Sequence, residues 1–209
     1  MDVRATKQAL RDRMRRERSA LPAADLRAAS HAVCRHVAEL APFRRAPTVA
    51  LYAAVQGEID PALLAQLVRA RGGRTVYPRV AATTPPTLTF HAVREPTELV
   101  PGVLGIPTPP PGAPEVALDT VALVIVPGVA FDHGGHRLGQ GRGYYDAALA
   151  SARQALRVGV CHTFQVVDAI PRRDADEPVD LLVTPDGAFP TGARPTSTPL
   201  AQKISEDDS

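Results

Sequence analysis

Val121-Ala122-Leu123-Val124-Ile125-Val126 is apolar at every position, and Pro127-Gly128 closes the run. A strand with one solvated face alternates apolar with polar residues, so an unbroken apolar run predicts a strand covered on both faces, at the centre of a parallel sheet. Upstream, residues 3 to 18 set Val3, Leu10 and Met14 among basic residues in a helical pattern that stops at Ser19-Ala20-Leu21-Pro22. A second helix is predicted from Ala23 to Leu40, a strand over Thr48 to Ala54, and a helix from Asp60-Pro61 to Arg71. Gly72-Gly73 ends that helix, and Thr75 to Tyr77 and Leu88 to Val93 read as strands. The prolines between Pro101 and Pro114 exclude a helix or a central strand and predict a long surface loop.

Downstream, Tyr144 to Ala152 reads as a helix, and Arg157 to Val160 and Leu181 to Val183 as strands. The alternation predicts an α/β fold: a mostly parallel central sheet with helices on both faces, an open three-layer sandwich, with ligands beyond the strand C-termini. A chain of 209 residues with 44% hydrophobic content is expected to form one domain, here residues 1–187. From Pro185 onward Pro, Thr, Ser, Gly and acidic residues dominate, and residues 188–209 are expected to form a disordered tail.

A net charge of +2 with 22% charged residues excludes a nucleic-acid coat and a disordered acidic chain. Cys34 and Cys161 lack metal-ligand spacing and suit buried thiols in a reducing compartment. The N-terminal basic residues are not followed by the apolar core of a signal peptide, and no window approaches the ~18–20 apolar residues of a membrane span. A cytoplasmic protein without nucleic-acid or membrane partners is expected.

The stretch leaving the apolar strand carries the chemistry. Val126-Pro127-Gly128-Val129-Ala130-Phe131-Asp132 is followed by Arg137-Leu138-Gly139-Gln140-Gly141-Arg142-Gly143-Tyr144-Tyr145-Asp146. The alternating glycines let backbone N–H groups turn toward one point, and a helix N-terminus follows: an anion cradle. Glycines alone would read as a turn. Arg137 and Arg142, able to grip phosphate oxygens, and Asp146, placed to hold a bridging magnesium ion, point instead to phosphoryl transfer. Lys7 and Arg11, four apart, share one helix face; by themselves they read as a solvated basic face. His133 and His136 have no third partner and are not read as a metal site.

Pro-Gly-x-x-Phe-Asp followed by Arg-Leu-Gly-x-Gly-x-Gly-Tyr-Tyr-Asp is similar to the signature of the 5-formyltetrahydrofolate cyclo-ligase family, and weaker matches extend the resemblance over residues 4 to 187. The resemblance implies that Lys7-Gln8-Ala9-Leu10-Arg11 binds ATP together with Arg137, Leu138, Gly139, Gln140, Gly141, Arg142, Gly143, Tyr144 and Tyr145. It implies that Glu58, in Val55-Gln56-Gly57-Glu58, meets the folate with Gln140, Gly141, Arg142, Gly143 and Tyr144. Arg137, Arg142 and Tyr144 would be catalytic, and Asp146 and Asp180 would hold magnesium. Gly159-Val160, Gln165, Ile170-Pro171 and Asp176 to Asp180 follow the family's order, whereas Leu104, Val55 and His162 replace a tryptophan, a methionine and a phenylalanine found in relatives.

The activity implied is ATP- and magnesium-dependent closure of 5-formyltetrahydrofolate to 5,10-methenyltetrahydrofolate through a phosphorylated formyl intermediate, with release of ADP and phosphate. A monomer acting on small molecules is expected. A sugar-phosphate isomerase on a related scaffold, and a catalytically silent nucleotide-binding relative, are the alternatives.

Overall fold

A computed structural model describes residues 3–81, 87–171 and 176–192, without the side chain of Leu104. In chain order the strands are β1 (Thr48–Ala50), β2 (Arg74–Ala81), β3 (Thr87–Ala92), β4 (Val100–Pro101), β5 (Pro107–Thr108), β6 (Leu123–Pro127), β7 (Ala130–Asp132), β8 (Arg137–Leu138), β9 (Leu156–Val160), β10 (Val166–Val167), β11 (Leu181–Thr184) and β12 (Gly187–Pro190). The helices are α1 (Val3–Ser19), α2 (Ala23–Glu39), α3 (Ala41–Arg45), α4 (Ala62–Ala70) and α5 (Tyr144–Ser151). No helix among the described residues is long and apolar enough to cross a membrane.

The main sheet runs β12-β11-β9-β6-β1-β2-β3. The apolar run forms β6 at its centre, parallel to β1 and β9. β1 and β9 pair in parallel with β2 and β11, and antiparallel β3 and β12 form the edges. Successive side chains of a strand point to opposite faces. Leu123 and Ile125 accordingly pack with Val33 and Val37 of α2, Phe43 of α3 and Leu64 and Val68 of α4. Val124 and Val126 pack with Leu149 of α5, Phe90 and Phe131. A strand covered by helices on both faces has no solvated position, which is why β6 carries no polar residue. Ile125 and Val126 are wholly buried, each side chain contributing about 1.5–3 kcal/mol through its burial.

The alternation of strands with helices holds less widely than the sequence pattern predicts. β2 and β3 are antiparallel neighbours, and no α-helix among the described residues separates β3 from β6 or β9 from β11. β2 is longer than the predicted Thr75–Tyr77 because its register with β1 ends at Val76. Pro78, just beyond, therefore breaks no ladder bond on that side. The proline-rich loop contains the short β4–β5 hairpin. The expected tail is corrected at its near end: Gly187–Pro190 pairs with β11, and the Thr191 hydroxyl donates to the Val179 carbonyl at 2.6 Å. Residues 193–209 lie outside the described residues.

A second, three-stranded sheet lies against the first: β7 pairs with β10 in parallel and with β8 antiparallel. Met14 and Leu10 dock α1 on its Val129, Ala130 and Leu138. The Phe131 ring fastens this layer to the main sheet. A Cβ on Gly128 would stand 2.5 Å from the ring and one on Gly159 2.8 Å from it, so the two glycines make the slot that the ring fills. Phe131→Ala is expected to lower the unfolding free energy by about 3–5 kcal/mol, measured by urea denaturation. A loss below about 1 kcal/mol would mean that the ring does not hold the two sheets together.

Candidate functional site

In chain order the five parallel strands are β1, β2, β6, β9 and β11, but in space they run β2-β1-β6-β9-β11. The chain leaves β1 toward one side of the sheet and β6 toward the other, so the order reverses between them and a crevice opens beyond their C-terminal ends. The segment after β1 brings Glu58 to this crevice. The segment after β6 brings the glycine-rich loop. After β9, Gln165 donates to the carbonyls of Gly128 and Val129 at 3.1 and 2.7 Å and accepts from the His162 N–H at 3.0 Å, tying that segment to the one leaving β6.

Arg137 is 8% exposed and lies against the loop backbone, where a Cβ on Gly139 would stand 2.6 Å from its Nη1. Its Nη2 donates to Asp146 Oδ1 at 2.8 Å, and its guanidinium lies 5.5 Å from the centre of the Tyr145 ring. Gly143, at φ 71°, starts α5 with no side-chain cap, so the first N–H groups of the helix are left for an anion. Gln140, Gly141 and Arg142 are exposed around that opening, Tyr144 is half-buried beside it, and Leu138 is buried beneath.

α1 closes the loop from the other side. Arg11 Nε donates to the Gly139 carbonyl at 2.9 Å, Arg15 Nη2 donates to Gln140 Oε1 at 2.7 Å, and Lys7 Nζ lies 3.5 Å from Asp176 Oδ2. Lys7, Arg11, Met14 and Arg18 follow one another at alternate intervals of four and three residues, one face of a helix. That face is turned inward: Met14 is 1% and Arg18 3% exposed. Gln8 and Ala9 are exposed, Gln8 donating to Asp12 at 3.0 Å, while Leu10 packs against the small sheet. The face resembles a solvated basic stripe in composition only.

Across the crevice, Val55-Gln56-Gly57-Glu58 makes a tight turn. Gln56 and Gly57 have φ of 50° and 75°, and the Glu58 N–H donates to the Val55 carbonyl at 3.1 Å. Two left-handed central residues are what a primed turn requires. The turn follows the predicted strand of Thr48 to Ala54, whose regular part ends at Ala50. It folds the Glu58 carboxylate back, so that Oε2 accepts from the Val55 N–H at 3.3 Å while Oε1 lies 3.8 Å from Arg18 Nη1. His162 Nε2 lies 3.0 Å from the Gly57 carbonyl. A cavity of about 480 Å³ is lined by Glu58, Leu26 and Gln56. A second of the same volume, lined by Arg15, Arg16 and Arg18, also touches Leu26 and Gln56.

Burial dominates the electrostatics here. It pushes the Glu58 carboxyl up, with Arg18 and the Val55 N–H pulling back, and pushes the Arg18 guanidinium down, with Glu58 pulling back. Burial raises the Tyr145 phenol, whose hydroxyl is buried without a hydrogen-bond partner among the described residues. It lowers His162, with Arg18 adding to the effect and the Gly57 carbonyl opposing it.

The two expected metal ligands are engaged with different arginines. Asp180 Oδ2 accepts from the Arg157 N–H at 2.8 Å, near the start of β9 and just before β11. Asp146 stands in the first turn of α5, bound to an arginine whose side chain passes Gly128 at the far end of β6. Asp180 thus serves the strand-start edge of the sheet and Asp146 the edge where ligands gather. Arg18, which the sequence pattern does not single out, is buried beside Glu58. The signal that would have found it is its place on the same face as Lys7, Arg11 and Met14.

Residues 3–185 match the model of the 5-formyltetrahydrofolate cyclo-ligase family. The chain belongs to this family. It is 35% identical to the 5-formyltetrahydrofolate cyclo-ligase of Escherichia coli K12 over 148 residues, covering 69% of this chain and 81% of that one. It is 30% identical to the cyclo-ligase of Haemophilus influenzae over 181 residues, covering 85% and 97%. Among solved structures, the 5,10-methenyltetrahydrofolate synthetase of Aquifex aeolicus superposes with a TM-score of 0.78 at 33% identity, covering 90% of this chain and 94% of the other. The cyclo-ligase family relationship thus spans both sides of the crevice, from α1 to β11.

The lowered pKa of His162 has a sign that can be measured. The folded chain prefers the neutral ring, so the unfolded chain binds more protons below its ordinary value of 6.5. The stability associated with the neutral ring is complete above that pH and is lost as the pH falls. The melting temperature should decline on going from about pH 7.5 to about 5.5, and the decline should flatten in His162→Phe. An equal decline in the variant would assign it to other groups.

Proposed function

We propose that this chain closes 5-formyltetrahydrofolate to 5,10-methenyltetrahydrofolate, using ATP and magnesium. The observation that carries this reading is the meeting of two unlike seats at one crevice. The glycine-rich loop, the start of α5 and the basic face of α1 suit a polyphosphate. The Glu58 carboxylate, on the opposite lip, suits a planar edge of N–H donors such as a pterin presents.

In the proposed sequence the formyl oxygen attacks the γ-phosphorus, the bond to ADP breaks, and a phosphorylated imidate-like species forms. N10 then attacks the formyl carbon and loses its proton. The C–O bond breaks, and phosphate leaves with the former formyl oxygen. Lys7, Arg11, Arg137 and Arg142 would neutralise the transferring group, and Tyr144 would lie beside the reacting atoms. No covalent intermediate with the protein is required, because positioning and charge neutralisation supply the catalysis.

Magnesium usually keeps waters and takes one or two carboxylates together with phosphate oxygens. Asp146, at the mouth of the loop, fits the role of carboxylate ligand. Among the described residues no group of three His, Cys, Asp or Glu forms a ready-made cage. When bound, the ion would draw charge from the phosphoryl oxygens. Asp180 has no part in this proposal, since its carboxylate holds the Arg157 N–H at the other edge. All the groups invoked come from one chain, and the proposed enzyme works as a monomer.

Purified protein mixed with magnesium, ATP and 5-formyltetrahydrofolate should generate the methenyl product, followed by its absorbance. No product would sink the reading, and product formed without ATP would remove ATP from the reaction. Asp146→Ala should lose at least about 100-fold in turnover while keeping the wild-type circular dichroism spectrum. Wild-type turnover by that variant at saturating magnesium would remove Asp146 from the mechanism.

A further inference from the structure

Arg18 is 3% exposed, and its pairing with Glu58 is unusual for so buried a cation. The separation of 3.8 Å is an ion pair without a hydrogen bond, and the Nε of Arg18 has no acceptor among the described residues. The Glu58 side chain keeps 12% of its exposure and lines the cavity beside α2. Its Oε1 therefore retains lone pairs for an incoming donor, with a positive charge standing behind it.

We propose that Arg18 is a positioning residue for the folate: from the buried face of α1 it holds the Glu58 carboxylate at the cavity wall, aimed at the donor edge of the pterin. This rests on the assignment of Glu58 to the folate made above. The backbone supports the same arrangement. A Cβ on Gly57 would stand 3.2 Å from Arg18 Cγ, so the turn lies directly on the arginine stem. His162 holds the Gly57 carbonyl from the other side at 3.0 Å. The turn that presents Glu58 is clamped between these two side chains.

The titratable groups around Glu58 are Arg18 on α1, Tyr52 after β1, Tyr145 on α5, and His162 after β9, in contact with the Glu58 turn through Gly57, while Arg27 and His31 of α2 and Asp60 line the same cavity. Arg18 is the cation paired with the carboxylate. Burial raises the Glu58 carboxyl and Arg18 opposes the rise. With the arginine in place the carboxylate stays ionised to lower pH, and folate recognition lasts further into acid. Removing the positive charge moves the acidic limb of kcat/KM for the folate to higher pH.

The test measures steady-state kinetics against pH for Arg18→Gln, Arg18→Met, Arg18→Lys and Glu58→Gln in the full-length protein. The two neutral Arg18 variants should raise KM for 5-formyltetrahydrofolate by about tenfold at neutral pH, shift the acidic limb upward and leave KM for ATP near the wild-type value. Arg18→Lys, which keeps the charge, should keep the limb in place. If Arg18→Met unfolds, Arg18→Gln against Arg18→Lys decides the matter. Equal folate KM and equal acidic limbs in those two variants would overturn the proposal and leave Arg18 as packing. A wild-type folate KM in Glu58→Gln would instead overturn the assignment of Glu58 itself.

Discussion

The reversal of strand order between β1 and β6 is the constraint on which the remainder of the molecule depends. Two adjacent parallel strands whose following segments depart to opposite sides leave their shared end uncovered. Whatever the chain needs to bring to a ligand must come from those two segments, or from an element laid across them. Here the segment after β1 is folded by two consecutive left-handed residues so that Glu58 faces the opening. The segment after β6 is stretched over the small sheet before it returns as the glycine-rich loop. The Phe131 ring between Gly128 and Gly159 fixes the height of that return.

α1 is the element laid across. Cations are poor material for a buried helix face, since desolvation of a charge outweighs what one imperfect partner returns. The face nonetheless carries Lys7, Arg11 and Arg18 around the apolar Met14, the first on Asp176, the second on the Gly139 carbonyl and the last near Glu58. A helix selected for stability alone would place leucines there. Burial pushes both Arg18 and Glu58 toward their neutral forms, and their mutual attraction opposes it.

Local pattern made much of this legible. The apolar run of β6, the helix α5 and the Arg-Leu-Gly-x-Gly-x-Gly-Tyr-Tyr-Asp stretch were readable because periodicity and glycine spacing are properties of contiguous sequence. The antiparallel placing of β3, the real length of β2 and the ordered strand after Pro185 were not. Each depends on a partner strand distant along the chain, and Pro78 misleads unless the register of β1 is known. Arg18 was hidden for a related reason: composition makes α1 look like a solvated basic helix, and only the surface beneath it reveals which side is covered. Asp180 is the reverse case: its place in the chain order says nothing of the bond it makes to the Arg157 N–H at the start of β9.

β12 has a consequence beyond the site. It covers the outer side of β11 with an antiparallel partner over Leu181 to Thr184. A chain ended at Thr184 would present the N–H and C=O groups of β11 to solvent as a template for any extended peptide, including a second copy of itself. The residues just past Pro185, whose composition suggests dispensable sequence, thus act as a guard against self-association, and the choice of where to cut this polypeptide bears on its solubility before it bears on its chemistry.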